Sequence, residues 1–369
     1  MKKAMTIKRV LALALAALLL VFGACSVGGS TPGGAEGEGG SEKAQEKTAV
    51  LSAEDSAVAL LLCDAEMKSA SARALWLTVE KFTKETGIDA TWFMLPTQED
   101  IKARLDDILA QGFNIVITNN GLHTDYIKER AAEFPDVSFV AMEGFFTDKG
   151  KPEQLEAYPN LIQGTVRAEE SAFLAGYLLA KRSESGKIGL LNGTQNPPGF
   201  QMEAGFAAGV AFAEQETGKK IETRVEYVGN GYNRTGGRNS ANVLYNSGCD
   251  MIYICAGGET DWGALEAAKA LGKPCITAGH TSYIAPENVV GEVLKNKDPV
   301  VTEILDGLYY GTLKGGQVLD RGLGAGSSGF VRTGLTEEFF GAALLAQLED
   351  VIARIESGEI KVPQGKLAV

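Results

Sequence analysis

Short apolar runs alternate along the chain with stretches of helical periodicity. Between the first two runs, Leu75, Val79 and Phe82 recur at the spacing that places side chains on one face of a helix. Near-continuous apolar strands separated by amphipathic helices predict a parallel sheet that is covered on both faces. The runs of strand length in this first part of the chain are 57–63, 88–95, 113–118 and 137–142.

The alternation restarts near residues 183–186 and predicts a second α/β half. A long terminal helix over 337–355 carries Phe340, Leu344 and Leu348 on its apolar face, so we expect the tail to pack back on the body. The strands predicted in the second half are 187–191, 221–227, 251–255 and 275–278, and the helices between them are 203–217, 239–246 and 264–271.

The first 24 residues have the pattern of an export signal. Basic residues precede an unbroken apolar run at 10–22, which is shorter than the roughly 20 residues needed to span a bilayer. Two small residues before Cys25 resemble a bacterial lipobox, which predicts a lipoprotein signal peptide over 1–24 and lipidation of Cys25. Ordinary secretion with a free Cys25 is the alternative. Residues 25–49 are rich in Gly, Ser and Glu and predict a flexible tether.

Composition narrows the possible functions. Asp and Glu number 47 against 35 Lys and Arg, a formal net charge of −12, which argues against nucleic acid as a partner. With two histidines and no cluster of metal ligands, neither a metal site nor a cofactor is predicted. A G-x-G-x-x-G sequence at 324–329 follows no predicted strand and opens no predicted helix, so a loop is expected there. No other catalytic motif occurs, and the chain is predicted not to be an enzyme.

Polar, glycine-rich segments follow the predicted strands. Ligands of open parallel sheets bind beyond the carboxyl ends of the strands, and glycine lets a backbone approach a small molecule closely. Asn119, the pair Gly257–Gly258, and His280 occupy such positions, as does Asp64 after the first strand. Two halves that face each other across these loops predict a ligand cleft that closes about a hinge.

Several short segments resemble the basic membrane protein family of lipoproteins, the PnrA-like purine-nucleoside receptors of bacterial ABC importers. The resemblance extends over about 57–329 and implies an α/β, type I periplasmic-binding-protein fold, with two Rossmann-like lobes and a ligand cleft between them. On this basis lobe 1 is expected at 50–185 plus approximately 282–320, and lobe 2 at 186–281 plus approximately 321–360. The matching segments are 169–178, 186–189, 205–210, 255–258, 266–269 and 293–296.

The resemblance implies ligand-binding roles for some residues. Asp64 matches the family aspartate after the first strand, Lys295 matches the lysine of the V-x-K-N segment, and Gly257–Gly258 match the Gly-Gly loop. The family phenylalanine that contacts the nucleoside is absent from 68–72, and the aspartate that holds the ribose hydroxyls is absent from 277–279.

Other residues are candidates for the missing contacts. Trp262 could stack on a ligand ring, and His280 could replace the missing aspartate as a partner of hydroxyl groups. Asn119 is a further candidate, because it ends another predicted strand. Core packing is the alternative for Trp262, and a hydrogen-bonded loop histidine is the alternative for His280.

The implied function is that of a solute-binding lipoprotein of an ABC importer, which captures a nucleoside, with a purine nucleoside favoured, by closure of its lobes. Its partners would be the small-molecule ligand, the permease and ATPase subunits, and the cell membrane through the lipid anchor. It would face the extracellular or periplasmic side. The alternatives are a receptor for riboflavin or another small solute, and a ligand sensor that signals to a membrane partner without transport.

Overall fold

The structure is a computed structural model that describes residues 48–63, 70–148, 151–152, 154–279 and 281–366. The predicted signal peptide, Cys25, Asp64 and His280 lie outside these residues, as does the predicted tether except for its last two positions. None of the helices in the described ranges combines the length and the apolar character that crossing a membrane requires.

Two six-stranded sheets covered by helices confirm the predicted α/β fold. The described strands are β1 (Ala57–Leu62), β2 (Asp89–Met94), β3 (Ile115–Thr118), β4 (Ser138–Met142), β5 (Thr147–Asp148), β6 (Lys151–Pro152), β7 (Leu161–Val166), β8 (Lys187–Asn192), β9 (Glu222–Tyr227), β10 (Met251–Cys255), β11 (Cys275–Ala278), β12 (Val289–Lys295), β13 (Gln317–Arg321) and β14 (Ser328–Val331). The described helices are α1 (Ala70–Thr86), α2 (Gln98–Leu109), α3 (Thr124–Glu133), α4 (Ala168–Arg182), α5 (Pro197–Thr217), α6 (Arg234–Asn246), α7 (Gly258–Leu271), α8 (Asp298–Tyr309) and α9 (Thr336–Glu356).

The first sheet is parallel throughout, in the order β13-β7-β4-β3-β1-β2. Alternate residues of β1 enter two different cores. Val58, Leu60 and Leu62 pack with α1 and α8, whereas Ala59 and Leu61 pack with α2 and α3 on the opposite face. Because both faces are covered, every position of this strand except its first is buried, which explains its uninterrupted apolar sequence.

The second sheet has the order β14-β12-β11-β10-β8-β9, and all of its pairings are parallel except that between β12 and β14. Helices α4, α5 and α9 cover one face, and α6 and α7 cover the other. The predicted packing of the terminal helix is confirmed at Phe340 and Leu348, but Leu345 is fully buried and Leu344 only partly. The register changes because the backbone leaves the helical conformation at Gly341, where φ is +74°.

Two elements lie in a lobe that their position in the chain did not suggest. Strand β12 falls within the 282–320 segment expected in lobe 1, but it pairs with β11 of the second sheet. Helix α4 falls within the 50–185 segment, but it packs against α5 in the second core. The reason is burial in the core of the second lobe. Val290 and Val293 of β12 are buried there, and α4 is buried on nearly all of its sides.

The chain therefore crosses between the two lobes three times: after β7, after β12 and after β13. The G-x-G-x-x-G sequence at 324–329 lies in the third crossing. It forms a short 3-10 turn and the start of β14, and it opens no helix. The segment does follow a strand, β13, which the sequence pattern had not predicted.

Candidate functional site

A cleft of about 480 Å³ opens beyond the carboxyl ends of β8, β10, β11 and β12. Because these strands are parallel, their carboxyl ends meet at one edge of the sheet. Ser71 of α1 is the lining residue that the described part of the first lobe contributes. The remaining lining residues are Asn192, Gly193, Thr194, Asn196, Pro198, Gly199, Met202, Cys255, Ala256, Gly257, Gly258, Asp261, Trp262, Ala278, Gly279, Thr281, Tyr283, Lys295 and Lys297.

Four of the residues predicted from the sequence come together in this cleft: Gly257, Gly258, Trp262 and Lys295. Trp262 is half-buried in the first turns of α7. Whether any of the four contacts a ligand stays a prediction, as it does for Asp64 and His280, which lie outside the described residues.

The loop after β10 presents its backbone to the cleft because of its two glycines. Their φ angles, +89° at Gly257 and +48° at Gly258, lie in a region that other residues rarely adopt. A Cβ atom at Gly258 would also lie 2.7 Å from the carbonyl oxygen of Gly231. The buried Asp261 holds this loop, since its Oδ1 accepts a hydrogen bond of 2.8 Å from the Gly257 N–H. Asp261 was not among the predicted site residues, although an acidic residue in the first turn of a helix is a recognisable capping signal.

Asp261 should make the stability of the fold depend on pH. Burial raises its pKa to about 7, and the hydrogen bonds from the Gly257 and Ala256 backbone lower it by less. The folded protein therefore holds a proton that the unfolded chain releases, so this contribution is present at low pH and is lost as pH rises from about 4 to about 7. Asp261→Asn should show a smaller fall in melting temperature between about pH 5 and pH 8 than the parent protein. An unchanged pH dependence in the variant would contradict the assignment.

Two asparagines shape the wall formed by the start of α5. Asn192 donates a hydrogen bond of 2.9 Å to the Gly199 carbonyl and accepts one of 2.8 Å from the Gly193 N–H. Asn196 caps the helix by accepting a hydrogen bond of 3.0 Å from the Gly199 N–H. The sequence marked this strand end as polar and glycine-rich, but the roles of the individual side chains come from the structure.

A buried ion pair joins the two lobes at the cleft. The Nζ atom of Lys295 lies 2.5 Å from Oε2 of Glu143, whose other carboxylate oxygen accepts a hydrogen bond from the Val166 N–H. Burial would raise the pKa of Glu143, but Lys295 and Lys297 together hold it below its ordinary value. Glu143 is also the non-glycine residue with positive φ (+54°) in the described ranges. Sequence reasoning missed Glu143, because no local pattern distinguishes a strand-end carboxylate that pairs across the lobes.

Asn119 makes two contacts close to the crossing that follows β12. Its Oδ1 accepts a hydrogen bond of 2.9 Å from the Cys63 N–H, and its carbonyl accepts one of 2.6 Å from Nζ of Lys297. Asn119 is buried and is not among the described residues that line the cleft. These contacts are structural, and a direct contact of Asn119 with ligand stays a prediction.

The chemistry of the cleft suits reversible binding. Trp262 and Met202 supply apolar surface, whereas the asparagines, threonines and glycine backbone supply hydrogen-bonding groups. Within the described ranges, no group of three or more His, Cys, Asp or Glu residues is arranged to hold a metal ion.

Known proteins are similar to this chain over most of its length. Basic membrane protein A of Borreliella burgdorferi is 30% identical over 247 residues, which cover 66% of this chain and 69% of that protein. Basic membrane protein A1 of Borrelia garinii subsp. bavariensis is 28% identical over 266 residues, covering 71% and 75%. A solved ABC transporter solute-binding protein from Aeropyrum pernix K1 superimposes with a TM-score of 0.68 at 20% identity, and the match covers 84% of this chain and 94% of that one.

The family model for ABC transporter substrate-binding proteins of the PnrA-like type matches residues 58–366. This match includes both sheets, the three crossings and the described residues that line the cleft. The type I periplasmic-binding-protein fold implied by the resemblance is confirmed by the structural similarity. The chain therefore belongs to the Bmp family of PnrA-like ABC transporter substrate-binding proteins.

Proposed function

We propose that this protein captures a purine nucleoside, or a related polar solute with a planar ring, and delivers it to an ABC permease and its ATPase. The family is one of ABC transporter substrate-binding proteins, which supports binding without conversion of the solute. The observation that carries the proposal is the cleft of about 480 Å³, which has Trp262 among neutral hydrogen-bonding groups. Its volume lies within the range of about 300–1,000 Å³ that is common for small-molecule sites.

The distribution of charge favours an uncharged ligand. Lys295 is paired with Glu143, and Lys297 donates to the Asn119 carbonyl, so both ammonium groups already have partners in the protein. Asp261 accepts hydrogen bonds from its own loop. A nucleoside would instead offer its ring to Trp262 and its hydroxyl groups and ring nitrogens to the neutral polar groups of the wall.

The three crossings support capture by closure of the lobes about a hinge. In this mechanism ligand binds in the cleft, and closure replaces water with hydrogen bonds from both lobes. Asp64 and His280 are proposed to join the contacts from their strand ends, as the resemblance and the chain position suggest. Lobe 1 is proposed to contain the first sheet and lobe 2 the second.

The protein is further proposed to be a lipoprotein. Removal of residues 1–24 and lipidation of Cys25 would anchor it, and the segment 25–49 would tether the binding domain on the extracellular or periplasmic side of the membrane. The names of the relatives, which are called membrane proteins, support this location.

The proposal is tested by titrating the full-length chain in detergent with adenosine, guanosine, inosine, riboflavin and ribose. A purine nucleoside at about 100 times its Kd should stabilise the fold by about 2.7 kcal/mol, measured as a rise in melting temperature. Calorimetry should then show that Trp262→Ala weakens this binding by about 1–3 kcal/mol, the usual contribution of a base stacked on an aromatic ring.

The other outcomes separate the alternatives. Binding of riboflavin alone would keep the receptor function and overturn the nucleoside assignment. Binding of ribose alone would contradict the requirement for a planar ring. Absence of binding to all five compounds would contradict the proposed ligand class. If a nucleoside binds but a strain lacking the protein takes that nucleoside up normally, a sensor function replaces transport.

A further inference from the structure

An exposed aromatic residue, Tyr283, lines the cleft. It lies on a 3-10 turn, Ser282–Ile284, in the segment that joins β11 to β12. It is 70% exposed, and its hydroxyl group makes no hydrogen bond to the described residues. Exposing so much apolar surface to water is unfavourable. An exposed ring that borders a binding cleft is therefore a candidate for contact with a ligand.

The turn that carries Tyr283 is held by hydrogen bonds to side chains of the second sheet. Oε1 of the buried Glu292 accepts hydrogen bonds from the N–H groups of Thr281, at 2.9 Å, and Ser282, at 2.7 Å. The Thr281 hydroxyl group donates to Oγ1 of Thr277 at 3.1 Å. The residue after the turn, Ala285, is buried in the core of the second lobe. Such a support fixes the position of the ring before ligand arrives and reduces the entropy lost on binding.

The opposite side of the cleft lacks an aromatic counterpart in the described residues. The first lobe contributes Ser71 there, which is too small to stack on a ring. Trp262 and Tyr283 both lie on the second lobe, and the turn that carries Tyr283 contacts α7, the helix of Trp262. The aromatic surface for a ligand ring is therefore supplied from one lobe by two adjacent elements.

We propose that Tyr283 is a specificity-determining residue that covers one face of a planar heteroaromatic ring, and that Glu292 is the positioning residue for it. This inference rests on the proposed function, because it requires a ring-bearing ligand. Trp262 provides a second aromatic surface at the same cleft. Larger rings gain more from stacking, so the pair should favour purine over pyrimidine nucleosides.

The test uses the full-length chain with guanosine and uridine as probes and calorimetry as the readout. Tyr283→Ala should weaken guanosine binding by about 5- to 150-fold, the range expected for loss of one stacking contact, and uridine binding by less. Tyr283→Phe should restore most of the lost affinity, because the ring is kept. Tyr232→Ala removes a tyrosine of similar exposure, 66%, that does not line the cleft, and it should bind guanosine as the parent does.

Glu292 is tested in both backgrounds. Glu292→Ala, which removes the acceptor of both hydrogen bonds, should weaken guanosine binding in the parent protein but have no further effect in the Tyr283→Ala variant, a non-additivity that general destabilisation would not produce. Equal effects in the two backgrounds would overturn the positioning role.

The remaining outcomes distinguish the two proposals. If the parent binds guanosine and Tyr283→Ala binds it equally well, the role of Tyr283 is overturned and the proposed function stands. If Tyr283→Phe loses as much affinity as Tyr283→Ala, the hydroxyl group and not the ring makes the contact, and the stacking role is overturned. If the parent binds neither probe, the proposed function itself fails.

Discussion

Replacing Lys295 by Met should lower the free energy of unfolding by about 3 kcal/mol, because it removes the ammonium group that pairs directly with the buried Glu143 carboxylate. The Glu143 side chain is 4% exposed and that of Lys295 is 23% exposed, so water screens the pair little. Urea denaturation of the unliganded protein at neutral pH measures the change. The loss should shrink as the solution is acidified, since protonation of Glu143, whose pKa Lys295 lowers in the parent protein, removes the charge that needs the lysine.

Two further variants show whether the charge is the cause. The double variant Glu143→Gln/Lys295→Met removes both charges and should recover most of the lost stability. Lys220→Met breaks a surface pair with Glu214 in which the lysine is 90% exposed, and it should change stability by less than about 0.5 kcal/mol. A double variant as unstable as the single one would show that the packing of Lys295, and not its pairing, stabilises the fold.

The second large effect is expected where α4 and α5 cross. Gly209→Ala should destabilise the protein by about 1–3 kcal/mol, because a Cβ at this position would lie 2.1 Å from the Phe173 carbonyl oxygen. The obstacle is backbone, so it cannot be relieved by a rotamer change. The effect opposes the gain of up to about 1 kcal/mol that alanine normally brings over glycine inside a helix. Thermal or urea unfolding of the unliganded protein measures it.

A glycine in open space provides the matched control. A Cβ at Gly324 would meet no atom within 4 Å, so Gly324→Ala should leave stability nearly unchanged. Gly205 lies one helical turn before Gly209 and is in the same close contact with α4. A Cβ at Gly205 would lie 2.1 Å from the Glu169 carbonyl oxygen. Gly205→Ala should therefore behave like Gly209→Ala. A stabilising effect of either substitution would show that the two helices can separate at little cost.

The same glycines show what a local sequence pattern can predict and what it cannot. The segment 205–210 carried part of the family resemblance, but its physical purpose, the close contact of two helix backbones, is visible only in the structure. The segment 169–178, which lies in α4, likewise carried part of the resemblance without indicating the lobe of this helix. A helix that is buried on nearly every side offers no polar face from which its neighbours could be inferred.

The candidate site was predictable in part. The expectation that ligands bind beyond the ends of parallel strands identified Gly257 and Gly258. The family resemblance identified Lys295 and made Trp262 a candidate for a missing contact. Glu143 and Tyr283 were missed. A carboxylate directly after one strand and a tyrosine five residues after another resemble ordinary loop residues until their neighbours are known.

The sequence alone determined that the chain forms two α/β halves, that its strand ends are polar, and to which family it belongs, because periodicity and short motifs are local properties of a chain. The tertiary structure decided the lobe of β12 and α4, the pairing of Glu143 with Lys295, and the exposure of Tyr283. Each of these depends on contacts between residues distant in sequence, and such contacts are set by how the two sheets and their crossings pack together.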